Sequence, residues 1–392
     1  MKTTSIVRKE NASTVLQIIQ ANVEVSKNTI ANQTDLSQVT VHKIVNNLID
    51  RGICEECERV VATGGRNAAL FRINGSYGAI LGQIVRRRRL KTTAYSFSLQ
   101  RLYYREVDCD LSDATEYVQT MIRELRTAME TISNWRILGL GVSLPGRCNI
   151  QGDVINIPGH KAWNHYPLRS TLEDALHIPV CVDNDANCMA ISVKYNQWAS
   201  KYSDYAYLQI YEGLGMGVVI DNRLFRGKYG CACEIGHTSI MLNGPLCSCG
   251  NRGCLDAYLN EEHLLACIRT RCQANDEPVP ANLHDAINQA RRDDHCVAAV
   301  TFREFSQYVA IAIEHVYRIF NTEAVFLRCH WLEALPELVT LITERVFSDI
   351  SWARRDRFFI ILDDDWQILS SSAACLFMDT LFRTDALVEQ IK

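Results

Sequence analysis

No stretch of this 392-residue sequence is apolar for long enough to cross a bilayer. Stretches such as 206–210 and 297–300 fall far short of the roughly 20 residues a spanning helix needs. The opening MKTTSIVRKE is charged, with no apolar core behind it, so it does not read as a secretory signal. Basic surplus is missing too: 41 Lys and Arg stand against 45 Asp and Glu, a formal charge of -4, which excludes a general attraction to nucleic acid and leaves DNA contact to a local surface. Repeats with a period of roughly 20–50 residues and low-complexity tracts are absent, which excludes solenoids and fibres. The expectation is a soluble, cytoplasmic globular protein.

What the chain does have is a hydrophobic share of 47%, enough for two or three domains with cores of their own, and 16 cysteines. Without an export signal those thiols are expected to stay reduced, so cysteine clusters are read first as metal ligands.

Residues 1–73 form one pattern. Val15, Ile18 and Ile19 recur at helical spacing, and Val41, Ile44, Val45, Leu48 and Ile49 mark a second apolar stripe. Ser26 is placed to cap a short helix through about Gln33, and Ser37 to cap the next. Gly52 ends that helix, and two extended stretches, 53–61 and 67–73, flank the turn Thr63-Gly64-Gly65-Arg66. Three helices followed by a two-stranded wing predict a winged helix-turn-helix. After the polar joint 74–77, residues 78–392 alternate strands (79–85, 90–99, 102–107, 137–143, 180–183, 205–220, 324–327) with helices (114–133, one through Ala190, and 302–320), which predicts an α/β domain.

The sharpest local signal is His237 followed by Cys247, Cys249 and Cys254 in CSCGNRGC. Three thiolates and an imidazole close a tetrahedral zinc site, and Gly250 and Gly253 let the backbone fold around the ion. Four protein ligands leave no position for an activated water, so one structural Zn2+ per chain is expected. Cys54-x-x-Cys57 has no second pair nearby, and Cys231-x-Cys233, placed to compete for the ion, leaves too short a loop to His237, so both pairs read as ordinary thiols.

EIGH at 234–237 and CSCGNRGCLD at 247–256 resemble the signature of the ROK family, which unites bacterial sugar kinases and repressors. SLPGR at 143–147, NIPG at 156–159, VDNDAN at 182–187 and EGLGMGVVIDNRLFRG at 212–227 extend the resemblance over nearly the whole chain. With its N-terminal domain, which the family's kinases lack, the chain looks like the NagC/Mlc-type sugar-responsive repressors. The resemblance implies an actin-like ATPase fold of two α/β lobes around a cleft. It also implies a sugar held by Gly159, Asn184, Asp185, Glu234, His237 and Asp256, the last in place of the family's usual glutamate, and a histidine that touches both zinc and sugar. Carboxylates, a carboxamide and an imidazole are the donors and acceptors that neighbouring hydroxyls need. Read alone, Asn184 and Asp185 are a helix N-cap.

In the family's kinases Asp185 would be the general base, and phosphoryl transfer also needs a positioned nucleotide. The opening D-x-G-G-T turn of those kinases is replaced here by Gly82-Gln83-Ile84-Val85-Arg86-Arg87, and a late Gly-Gly by Arg328-Cys329-His330. Gly213-x-Gly215-x-Gly217 survives but is too common to count. Binding without turnover is expected. The alternative is an ATP-dependent sugar kinase with a fused DNA-binding domain. The run 86–89 of four arginines reads as a solvated hairpin turn.

The apolar stripe of the third helix leaves Gln38, Thr40, His42, Lys43, Asn46 and Asn47 outward, so Gln38, Thr40, His42 and Lys43, with Arg66 at the wing tip, are the expected DNA contacts. Residues 1–73 carry nine Lys or Arg against seven Asp or Glu, a surplus of two that predicts modest affinity per copy. The expected partners are double-stranded operator DNA, a sugar or sugar-derivative effector and a second copy in a homodimer or homotetramer; a transport protein is a further possibility that the resemblance raises.

Overall fold

The computed structural model describes residues 4–34, 36–57, 69–195, 201–211, 213–363 and 365–383. They fall into two compact units, 1–201 with 367–392 and 202–366, so the predicted domain 78–392 is itself divided.

The first unit begins with helices Thr4–Ala21, Lys27–Gln33 and Gln38–Asp50 and a three-stranded antiparallel sheet. Ser26 and Ser37 cap the second and third helices, accepting from the backbone N–H of Thr29 and Thr40. Gly52 ends the third helix at a φ of +68°, where a side chain would be strained. Leu16, Ile19, Ile30, Val41, Val45, Leu48 and Phe71 fill the small core between these elements. The sequence reading placed two strands here; a third, Val25–Ser26, pairs with Leu70–Ile73, too short to leave a periodic trace.

Beyond the joint lies a five-stranded sheet in the order Val180–Asn184, Ile137–Leu144, Ala79–Val85, Arg89–Ser96, Arg101–Asp108. The first three are parallel, so Val85, Leu144 and Asn184 end at the same edge. Open α/β sheets bind ligands at this carboxyl edge. Helix Ala114–Thr131 buries Tyr117, Val118, Met121 and Leu125 in the unit's core. The last helix, Trp366–Arg383, sits close to the sheet because Gly82 and Gly141 lie opposite each other: a Cβ on Gly141 would fall 1.7 Å from the carbonyl oxygen of Ala373. Gly141→Ala should therefore cost about 1–3 kcal/mol through overpacking, read as a lower urea midpoint. A wild-type midpoint would mean that the seat is not tight.

The second unit has its own five-stranded sheet, Arg223–Leu224, Leu214–Ile220, Tyr205–Ile210, Ala324–Cys329, Phe359–Leu362, the last three parallel. Helix Val297–Phe320 lays Phe302, Phe305, Val309, Ile313 and Val316 into the core. It begins before the residue 302 expected from periodicity, because Cys296 caps an unpatterned apolar turn. Helices Glu261–Ala274, Leu283–Arg292 and Glu337–Asp349 were not read from the sequence; each buries only about three side chains under a charged exterior. No single described helix is long and apolar enough to span a membrane.

Candidate functional site

Three groups of predicted residues occupy three places in the fold. In the second unit, a loop bounded by the helical turn Ile235–His237 and the helix Asp256–Leu259 brings His237, Cys247, Cys249 and Cys254 together, their ligand atoms all within 4.8 Å of one another. Tetrahedral zinc with ordinary bond lengths needs sulfur–sulfur edges of about 3.8 Å and sulfur–nitrogen edges of about 3.6 Å. The Cys249–Cys254 sulfur separation is 3.7 Å, and Cys247 Sγ lies 3.6 Å from His237 Nδ1. The four residues thus fit such an ion. Burial and the two neighbouring thiols push Cys254 up to about 12, so metal binding there releases protons. Gly253, at a φ of +69°, permits the knot: a Cβ would fall 1.6 Å from the carbonyl oxygen of Met241. Leu255, directly after the last ligand, is fully buried in the unit's core, which ties the loop to it.

With Nδ1 of His237 turned to the sulfurs, its Nε2 faces Glu234 at 3.9 Å. Glu234 is exposed and follows Cys233, a non-glycine residue held at a φ of +70°. Asp256 is held in place by its neighbours: its Oδ1 accepts from the Leu214 backbone N–H at 2.6 Å, and Oδ2 lies 3.8 Å from Cys247 Sγ. The shorter arm reaches the turn before strand Leu214–Ile220, where Gly213 leaves room for it. The same unit buries Arg328. Its guanidinium donates to the Tyr211 hydroxyl at 3.0 Å, to the Asp365 carbonyl at 3.1 Å and to Asp363 at 3.3 Å, and the Tyr207 hydroxyl donates to the same Asp363 carboxylate.

In the first unit, Asn184 ends its strand and caps helix Asp185–Lys194, accepting from the Ala186 N–H and donating to the Gly146 carbonyl at 3.0 Å. The N-cap reading of Asn184 holds. Asp185 is buried in the helix's first turn beside it. Gly159 is exposed at a φ of +80°, in a tight turn closed by the His160 N–H on the Ile157 carbonyl. Of the arginine run, Arg87, Arg88 and Arg89 are exposed, Arg89 donating to Glu106 at 3.1 Å, whereas Arg86 is turned to a buried partner: its Nη1 donates to Asp185 Oδ2 at 2.7 Å. Gly159, Asn184 and Asp185 thus belong to the first unit and Glu234, His237 and Asp256 to the second.

On helix Gln38–Asp50, Gln38, His42 and Lys43 are exposed and Thr40 is half-buried, its hydroxyl hydrogen-bonded to that of Ser37 at 2.9 Å. Sequence reasoning missed Lys27. Its ammonium donates to Asn46 Oδ1 at 2.7 Å, stands 3.3 Å from His42 Nδ1 and lies over the ring of Phe71. Asn46 Nδ2 is 3.0 Å from His42 Nε2, so the three side chains form one polar cluster. Arg66 and the turn 63–66 lie outside the described residues.

The sequence profile of the ROK family matches residues 89–351. The xylose repressor of Bacillus subtilis is 28% identical over 94% of this chain and 92% of its own length. The DNA-binding transcriptional dual regulator NagC of Escherichia coli is 25% identical over 86% of this chain and 84% of its own. A crystal structure of a ROK family transcriptional regulator, a homologue of the E. coli Mlc protein, superposes with a TM-score of 0.81 over 98% of this chain and 99% of that one, at 21% identity.

Proposed function

From the premise that the chain belongs to the ROK family, with its actin-like fold of two α/β lobes, we propose that it is a sugar-responsive DNA-binding regulator, a repressor of carbohydrate genes, rather than an enzyme. One observation carries the reading. The helix Gln38–Asp50, anchored by Val41, Ile44, Val45 and Leu48, offers Gln38, His42 and Lys43 to solvent in the same chain as the polar residues of a sugar kinase. We read residues 1–73 as a winged helix-turn-helix with Gln38–Asp50 as its recognition helix, Gln38, Thr40, His42, Lys43 and Arg66 as its DNA contacts, and residues 78–392 as the effector domain. The small basic surplus of the first domain favours a dimer on two half-sites.

Gly159, Asn184, Asp185, Glu234, His237 and Asp256 are assigned to the sugar, and His237, Cys247, Cys249 and Cys254 to one structural zinc. The zinc would orient the histidine, leaving Nε2 for a hydroxyl. Kinase activity is not expected. Arg86 occupies the carboxylate that would serve as general base, and Arg328, with its buried partners, stands where the kinases carry glycines. Relatives that are a xylose repressor and an N-acetylglucosamine repressor make xylose and N-acetylglucosamine the first candidates.

A sugar that binds here and lowers operator affinity must, by linkage, bind less tightly in the presence of operator. Titrating the protein with a fragment of its own promoter region, with and without D-xylose or N-acetylglucosamine, should show this reciprocity. His42→Ala and Lys43→Ala should each weaken binding by about 1–3 kcal/mol, Lys43→Ala also reducing the salt slope. Turnover of ATP in the presence of these sugars would overturn the reading.

A further inference from the structure

The hairpin 85–90 stands at the carboxyl edge of the first unit's sheet, where three parallel strands end. Its turn is built rather than loose. The Arg86 N–H donates to the Arg89 carbonyl at 2.9 Å, and the buried Tyr117 hydroxyl donates to the carbonyls of Arg86 and Arg89 at 3.1 and 3.0 Å. Tyr117 packs edge-on against Trp163, whose indole N–H donates to the Leu111 carbonyl, and the Leu111 N–H returns to the Arg87 carbonyl. Arg86 is thereby held with its side chain 30% exposed and its Nη1 on Asp185. Among the described residues Asp185 is the one hydrogen-bond partner of that guanidinium, which leaves its remaining N–H groups available at a ligand-binding edge.

We propose that Arg86 is a sugar-contacting, specificity-determining residue, forming with Asp185 a charge-neutral clamp on two neighbouring hydroxyls of an uncharged sugar. The inference rests on the assignment of Asp185 to the sugar made above. A hydroxyl both donates and accepts, so one hydroxyl donates to the Asp185 carboxylate while the oxygen on the next carbon accepts from Arg86. The fixed planar fork of arginine suits such a pair of oxygens, and a lysine ammonium does not. Because the two charges cancel, the clamp favours a neutral polyol. A carboxylate at the donating position would lose its proton to give and face Asp185 with like charge, so uronic acids are rejected. The arginine that silences the former base thus becomes part of the recognition surface.

Calorimetric titration of the full chain with D-xylose and with N-acetylglucosamine tests this, with zinc content and thermal unfolding recorded for every variant. Arg86→Met should weaken the sugar that the wild type binds by about ten- to a hundredfold, the range for a hydrogen bond to a charged group. Arg86→Lys, which keeps the charge and serves if the first variant does not fold, should recover only part of the loss. Asp185→Asn is the reference. If it abolishes binding while both Arg86 variants bind as the wild type or more tightly, Arg86 is a bystander or a competitor for Asp185 and the inference fails alone. If Asp185→Asn binds normally, or the wild type binds neither sugar, the sugar assignment itself falls with it.

Discussion

Full-length protein carrying Cys249→Ser should emerge from purification with little or no zinc and with its second unit markedly less stable. Cys249 is the exposed member of the four-residue knot, whereas Cys247 and Cys254 are buried. Its replacement therefore removes one of the four proposed ligands while disturbing packing least. A structural zinc site of this kind contributes an apparent binding free energy of about 10–16 kcal/mol near neutral pH, as much as the whole stability of a typical domain, about 5–15 kcal/mol. Segment 237–254 has no regular strand or helix beyond its first turn and is otherwise tied by two isolated bridges, Ser239 with Cys254 and Leu246 with Arg252, and by single hydrogen bonds such as Ile240 N–H to the Gly253 carbonyl. The damage should spread to the core through Leu255 and Leu259, which are buried there. Metal analysis and thermal unfolding read both effects. Zinc retained at one per chain would remove Cys249 from the ligand set, and metal-free protein with an unchanged melting temperature would remove the structural role.

The second large effect lies in the first unit. Asp379 on helix Trp366–Arg383 is buried with Lys194: their charges sit 3.1 Å apart, Arg383 Nε lies 2.7 Å from the other carboxylate oxygen, and the Tyr195 hydroxyl donates at 2.9 Å. Burial by itself raises such a carboxyl, but Lys194 and Arg383 outweigh it and hold Asp379 at about 2. The folded value is below the 3.8 of the free group, so the stabilisation is present above pH 4 and is lost as pH falls toward 2. Integrated over that window it is on the order of 2 kcal/mol. Asp379→Ala removes the buried carboxylate that Lys194 and Arg383 share and should cost about 3–5 kcal/mol at neutral pH, whereas the pair Lys194→Met with Asp379→Leu should restore most of it. Urea denaturation at pH 7 and pH 3 measures both. An alanine variant as stable as the wild type, or a double variant no better than the single one, would show that the pair is not what ties this helix to helix Asp185–Lys194.

Helix Asp185–Lys194 carries Asn184 and Asp185 at its start and Lys194 at its end, so the same element bears two of the residues proposed for the sugar and the buried anchor. Neither Lys194 nor Asp379 attracts notice in the sequence, because their pairing spans 185 residues. Asp256 is a milder case. The resemblance placed it among the sugar residues, and its position in the zinc signature was legible, but the hydrogen bond that its carboxylate accepts from the Leu214 amide, 42 residues away, was not.

What the chain determines by itself is local: the histidine and three cysteines lie within eighteen residues of one another and converge with their ligand atoms within 4.8 Å, and Ser26, Ser37 and Gly52 start and stop their helices through contacts within a turn. The parallel pairing of distant strands decided the rest. It set Arg86 against Asp185, ninety-nine residues later, it buried Arg328 between Tyr211 and Asp363, and the packing of three short helices and a sheet brought Lys27 to His42 and Asn46. A long charged side chain has the same composition and spacing whether it is solvated or paired. Only the register of the elements around it fixes which partner lies within reach of its last few ångströms.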